Sequence, residues 1–201
     1  MRYKKSEISA AQIIEAAIRV LARQGYARTS LMDIAKEAGM SKGAVHYHYS
    51  TKEALINQVL ETACNAVQDK TLRAWGSAET PFGSLRSSLA ALWAARAERT
   101  DEALVVADLL AQSLYDDKLR PRLAVYYRLA ADQITAHLTA HFFALGIRPK
   151  IPAELLPRLV IGLLDGLVMQ HFVEPSVLSS DDVVNSIETL AFSLFEPPTS
   201  T

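Results

Sequence analysis

The feature that most constrains this 201-residue chain is its punctuation. Apolar residues recur every three to four positions, and each such run is opened by a Ser or Thr with a Gln, Glu or Asp shortly after it, or is closed by Gly25, Gly39, Gly76 or Gly146. No segment alternates apolar and polar residues with period two. A chain written this way folds into helices, and the expected class is all-α with about nine of them.

The spacing places the helices at about 10–24, 30–38, 42–48, 52–74, 83–99, 102–115, 120–145, 153–173 and 181–195. Ser9 with Gln12, Thr29 or Ser30 with Asp33, Ser50 with Glu53, and Ser179 with Asp182 supply the expected caps. Ser41 opens the short third helix. Pro121 and Pro157 fall in first turns, where a missing N–H costs little. In helix one, Ile14, Ala17, Ile18 and Leu21 share a face; in helix two Ile34, Ala35 and Ala38 point inward.

Half the residues are hydrophobic and 21% are charged, a globular balance. A single cysteine, Cys64, excludes a disulfide framework. The first residues are basic but lack an apolar stretch behind them, and no segment is expected to reach a membrane span of roughly 18 apolar residues. A soluble cytoplasmic protein without a membrane partner is the expectation.

The net charge of −1 conceals a division. Residues 1–53 hold nine Lys and Arg against five acids, whereas the remainder holds 12 against 17. A polyanion would bind at the basic end.

Helix two, the connection Gly39-Met40-Ser41-Lys42 and helix three have the proportions of a helix-turn-helix, whose second helix enters the DNA major groove by its amino-terminal end. The side chains suit that task. Gly43 allows close approach to a groove wall, Lys42 reaches a guanine edge or a phosphate, and Ala44 is small enough for a thymine methyl. Val45 and Tyr49, four apart, share the inward face, so His46, Tyr47 and His48 point largely outward.

The stretch TSLMDIAKEAGMSKGAVHYHYSTKEAL, residues 29–55, resembles the DNA-binding signature of TetR/AcrR-type transcriptional repressors. The matching positions are Thr29, Ile34-Ala35, Ala38-Gly39, Ser41-Lys42-Gly43, Tyr47-His48-Tyr49 and Lys52-Glu53-Ala54-Leu55. The resemblance implies that Thr29, Ser30, Tyr47, His48 and Lys52 hold phosphates, which position the protein without reading sequence. It leaves Lys42, Ala44 and His46 for base edges. Two positions depart from the family pattern: His46 stands where tyrosine is usual, and Tyr49 where phenylalanine is. The first bears on operator preference, because imidazole is shorter and titrates. Arg2, Lys4 and Lys5 suit an arm on the adjacent backbone, although a frayed terminus is the favoured reading.

The resemblance further implies a DNA-binding domain over residues 1–55 and an effector-binding and dimerisation domain over 56–201. Helices five to seven with the end of four would enclose the effector, helix four would couple the two functions, and the last two helices would form a four-helix bundle with a second subunit. Residues 155–172 are apolar nearly all round, which calls for burial on more than one side. Gly162 and Gly166 would permit close approach there. Leu163, Val168, Ile187, Leu190 and Leu194 are the expected dimer contacts, with Ser186 and Ala191 on the same stripe.

Candidate effector contacts are Trp93, Arg96, Asp108, Gln112, Tyr115, Tyr126, Tyr127, His137 and His141, with Trp75, Phe142, Phe143 and Met169 as further large side chains. For any single aromatic a core role is favoured. His46 and His48, two apart on a helix, cannot share a metal. His137 and His141, four apart, can, but no cysteine or third ligand accompanies them, so no metal or cofactor is expected. No Ser/His/acid order, carboxylate pair or phosphate-cradling loop points to catalysis. The expected partners are a pseudo-palindromic double-stranded operator, a small organic effector and a second copy of the chain. Two other readings are a sensor or scaffold dimer that no longer binds DNA and a metal-using helical enzyme.

Overall fold

The computed structural model describes residues 2–75 and 81–196, and its side-chain description omits 2–8, 67, 68, 70–75, 81, 82 and 84. The expected stop at Gly76, the Trp75 side chain and the arm side chains of Arg2, Lys4 and Lys5 lie outside the described residues. Nine α-helices occur among those described: α1 (Arg2–Gln24), α2 (Leu31–Glu37), α3 (Lys42–His48), α4 (Lys52–Trp75), α5 (Pro81–Ala97), α6 (Asp101–Gln112), α7 (Arg120–His141), α8 (Leu156–Val173) and α9 (Ser180–Ser193). The all-α expectation therefore holds.

Several boundaries differ from the expected ones: α6 ends at Gln112, α7 at His141, and α8 begins at Leu156. Helix α1 continues upstream of Ser9 to Arg2, so no cap forms there. At α4 the cap is Thr51 rather than Ser50: its hydroxyl accepts the N–H of Ala54 at 3.1 Å.

The chain divides into two compact units, residues 1–66 with 99–126, and 67–98 with 127–201. Both are discontinuous in sequence. In the first unit, Ile13, Ala16, Ala17, Val20 and Leu21 of α1 are buried with Ile34 and Ala35 of α2, Val45 of α3, and Leu55, Ile56 and Val59 of α4. This core fixes α2 and α3, and α6 packs on α1 in the same unit.

The second unit's core gathers Leu89 and Trp93 of α5, Ile134 and Leu138 of α7, Ile161, Leu164 and Val168 of α8, and Val183 and Ile187 of α9. Phe142 and Phe195 stack with centroids 5.3 Å apart. After a 3-10 turn at Phe143–Leu145, Arg148–Pro149 pairs antiparallel with Phe195–Glu196, a two-residue ladder without a period-2 signal in the sequence. The expectation that no segment approaches a membrane span fails for α8, which is long and apolar enough by length and composition. Leu156, Ile161, Leu164 and Val168 nevertheless anchor one face of α8 in this core.

Candidate nucleic-acid interface

The helix-turn-helix is built by caps. Ser30 opens α2 by accepting the N–H of Asp33 on its hydroxyl at 3.2 Å, and Asp33 Oδ2 in return accepts the Ser30 N–H at 3.0 Å. The Ser30 hydroxyl and then its N–H hold the Asp33 carboxyl below its ordinary range. At the other end the Gly39 N–H reaches the Lys36 carbonyl and the Met40 N–H the Ala35 carbonyl, a Schellman closure that needs the positive φ of Gly39, +65°. Ser41 then caps α3 through the N–H of Ala44 at 3.1 Å. A seven-residue helix is too short to persist alone. Val45, fully buried, holds it down.

α1 braces this element from outside the turn. Arg19 Nε and Arg23 Nη2 donate to the two carboxylate oxygens of Glu37 at 2.9 and 3.1 Å. Those hydrogen bonds, Arg19's first, hold the Glu37 carboxyl low.

Packing leaves Lys42, Gly43, His46 and Tyr47 exposed, Tyr47 at 78%. Ala44, His48 and Tyr49 are half-buried. His48 is thus less outward, and Tyr49 less inward, than the helical spacing suggested. The Tyr47 and His48 rings meet edge-on at 5.3 Å. A Cβ on Gly43 would meet only Ser41 Oγ, at 3.8 Å, so glycine is not required there by the protein's own packing.

Thr29 and Lys52 are more engaged than a simple phosphate contact would be. Thr29 is 4% exposed and its hydroxyl donates to the Gly25 carbonyl at 2.7 Å. Lys52 Nζ donates to the Tyr26 carbonyl at 2.6 Å and sits 4.1 Å from the centre of the Tyr26 ring. Burial pushes its pKa down, opposed by the charges of Glu53 and Asp108. Tyr26 was not singled out by any sequence signal: it follows a helix stop, where periodicity is silent.

The candidate effector residues divide between the units. Asp108, Gln112, Tyr115 and Tyr126 belong to the first, where Asp108 accepts the Tyr26 N–H at 2.6 Å and the Gln112 amide at 3.4 Å. Both Asp108 oxygens are therefore occupied within the protein. Tyr115 is almost fully exposed, Tyr126 buried.

Trp93, Arg96, Tyr127, His137 and His141 belong to the second unit. Trp93 is a buried core residue whose indole donates to Ser180 Oγ at 3.0 Å. Arg96 and Tyr127 converge on Asp165, a residue the sequence reading missed because a lone acid in an apolar helix carries no pattern. The His137 and His141 rings lie 4.4 Å apart, and burial, then the neighbouring His141, holds His137 down at about 4. Nearby, Leu85, Ser88, Leu89, Leu92, His137, Leu156 and Phe195 help enclose a cavity of about 30 Å³. That is room for about one water, far short of the roughly 300 Å³ that a ligand pocket begins at.

Of the expected dimer contacts, Leu163 and Leu190 are exposed, and Leu194 is half-buried. Val168 and Ile187 are a correction: at 6% and 2% exposure they face the core of the second unit, because α8 and α9 turn those positions inward. The outward side of α8 instead carries Leu159, Leu163, Met169 and Val173, with Leu155 just before the helix and both glycines among them.

Comparison with known proteins decides the family. The amino-terminal model of bacterial regulatory proteins of the tetR family matches residues 13–59, and the carboxy-terminal model of BetI-type transcriptional repressors matches residues 81–195, more than half the chain. The chain belongs to the TetR family of transcriptional regulators.

Among TetR-family relatives, the regulator TtgR of Pseudomonas putida is 36% identical over 88 residues, 43% of this chain. That match spans only about two-fifths, 41%, of TtgR itself. BetI of Rhizobium meliloti is 25% identical over 186 residues, 87% of this chain and 86% of BetI. AibR, solved in complex with isovaleryl coenzyme A and operator DNA, shares the fold with a TM-score of 0.70 at 16% identity, covering 93% of this chain and 100% of that one. A TetR-type regulator binds DNA through its helix-turn-helix, which here is α2 and α3.

Proposed function

We propose that this chain is a homodimeric repressor, held on a pseudo-palindromic operator until a small organic effector releases it. The observation that carries the reading is the row Lys42, Gly43, His46 and Tyr47 along α3: exposed, and not required by the packing around it. Lys42, Ala44 and His46 would meet base edges, with Ser30, Tyr47, His48, Lys52 and the Thr29 backbone on phosphates. The phosphate-binding role of Lys52 requires only part of its ammonium, since the carbonyl of Tyr26 takes one of three N–H groups.

Two recognition helices address half-sites one helical turn apart, about 34–36 Å, so operator binding calls for two copies. The exposed leucines of α8 with Leu190 of α9 support that assembly, as does an open groove of about 370 Å³ along Met169, Val173 and Val177. An effector that binds better to the conformation with mismatched recognition helices lowers operator affinity by that difference. AibR, crystallised with both a coenzyme A thioester and DNA, supports a two-ligand reading of the fold.

The test is anisotropy with labelled duplexes from the DNA beside the gene, together with sedimentation. Lys42→Ala and Tyr47→Ala should each lose operator binding and stay dimeric, whereas Leu163→Arg should shift the protein to monomer and lose binding through assembly. Retained binding in both α3 variants would overturn the role of α3, and a dimeric Leu163→Arg protein would move the interface off this face of α8.

A further inference from the structure

Tyr26 has every polar group engaged, by the neighbouring Thr29 N–H on its carbonyl at 3.3 Å and by partners from α4 and from α6 and its end. Its N–H donates to Asp108 Oδ2 of α6 at 2.6 Å, its hydroxyl donates to Asp116 Oδ2 just beyond α6 at 3.3 Å, and its carbonyl accepts from Lys52 Nζ at 2.6 Å. The ring lies beneath the same ammonium. Gly25, at φ +78°, turns the chain so that the Tyr26 N–H can meet Asp108, and a Cβ at Gly25 would stand 3.5 Å from that carboxylate.

A lysine ammonium has three donors on a flexible stem, and holding that stem in one direction removes an entropy cost from any contact its remaining donors make. Here the carbonyl and the ring face fix the direction. Asp108 holds the Tyr26 N–H, beside the Thr29 N–H on the carbonyl and Asp116 on the hydroxyl, and its charge also helps to keep the partly buried ammonium protonated.

We propose that Asp108 is a positioning residue for operator binding: through the Tyr26 backbone it aims the Lys52 ammonium at a DNA phosphate. This rests on the reading of Lys52 as a phosphate contact. It replaces the sequence-based expectation that Asp108 touches an effector. It also makes α6, which reaches no DNA in this scheme, a determinant of affinity: any shift of α6 that draws Asp108 from the Tyr26 N–H releases the lysine.

Salt dependence separates positioning from a structural role. Losing one phosphate contact lowers the slope of log K against log salt by about one unit per protomer, whereas a lower folded fraction scales affinity equally at every salt concentration and leaves the slope unchanged. The slope is measured on one labelled duplex for wild type, Lys52→Ala, Asp108→Ala, Asp108→Asn and the Lys52→Ala/Asp108→Ala double variant. Expected are a loss of about one unit per protomer in Lys52→Ala, a comparable loss in Asp108→Ala, no further loss in the double variant, and a slope near wild type in Asp108→Asn, which keeps the acceptor for the Tyr26 N–H.

A wild-type slope in Asp108→Ala beside a reduced one in Lys52→Ala overturns the proposal and leaves the reading of Lys52 standing. A wild-type slope in Lys52→Ala overturns both. Additive losses in the double variant, or a loss in Asp108→Asn equal to that in Asp108→Ala, also overturn it, the last by assigning the effect to charge alone.

Discussion

Arg96 Nε donates to Asp165 Oδ1 at 3.2 Å, joining the last turn of α5 to the middle of α8. Arg96 is 8% exposed, and its Nη1 also donates to the Leu92 carbonyl at 3.0 Å. Asp165 Oδ2 accepts the Tyr127 hydroxyl at 2.8 Å, so a single carboxylate ties three helices.

Removing that carboxylate should cost more than removing the phenol. Asp165→Ala leaves a buried cation without its counter-ion, a loss on the order of 2–4 kcal/mol, while Tyr127→Phe deletes one hydrogen bond at about 1 kcal/mol. Urea unfolding measures both. Equal losses would mean that the pair acts through packing rather than charge.

The His46 side chain is exposed and makes no hydrogen bond or ion pair among the described residues, so its replacement should leave folding within about 0.5 kcal/mol of wild type. On DNA the expected effect is selective. His46→Tyr should reorder affinities among duplexes that differ at one base pair of a half-site while the salt slope stays constant. A uniform change across all duplexes, with an altered slope, would place His46 on phosphate instead.

The buried His137 should make the protein acid-sensitive within a defined window. Burial, then His141, holds its pKa at about 4 against 6.5 for the free side chain. The unfolded chain therefore takes up a proton at this residue before the folded one does. Its contribution to stability is undiminished above pH 6.5, declines as the pH falls towards 4, and levels off below that. Across this window wild type should lose stability faster than His137→Gln, as read from melting curves at fixed ionic strength. Parallel curves would remove His137 as the cause.

Helix existence and most boundaries were legible because their causes are local. Ser30 and Asp33 cap each other three residues apart, Gly39 supplies a positive φ at the end of α2, and Ser41 opens α3 at Lys42. The exposed row of α3 was legible for the same reason: once Val45 is inward, helical geometry turns His46 and Tyr47 outward. Periodicity was ambiguous on α8, where apolar residues cover most of the surface. It could not say that Val168 faces the core while Leu163 faces out.

By itself the sequence determined an all-helical chain, the helix-turn-helix at residues 31–48 and its resemblance to TetR-type regulators, because caps, stops and the α3 motif act over a few residues. Only the tertiary structure decided what the isolated polar residues do. Tyr26 meets Asp108 and Asp116 across 82 and 90 positions, and Arg96 meets Asp165 across 69. Such pairings follow from how helices are laid against one another, and hydrogen bonds at that separation have no period in the chain that forms them.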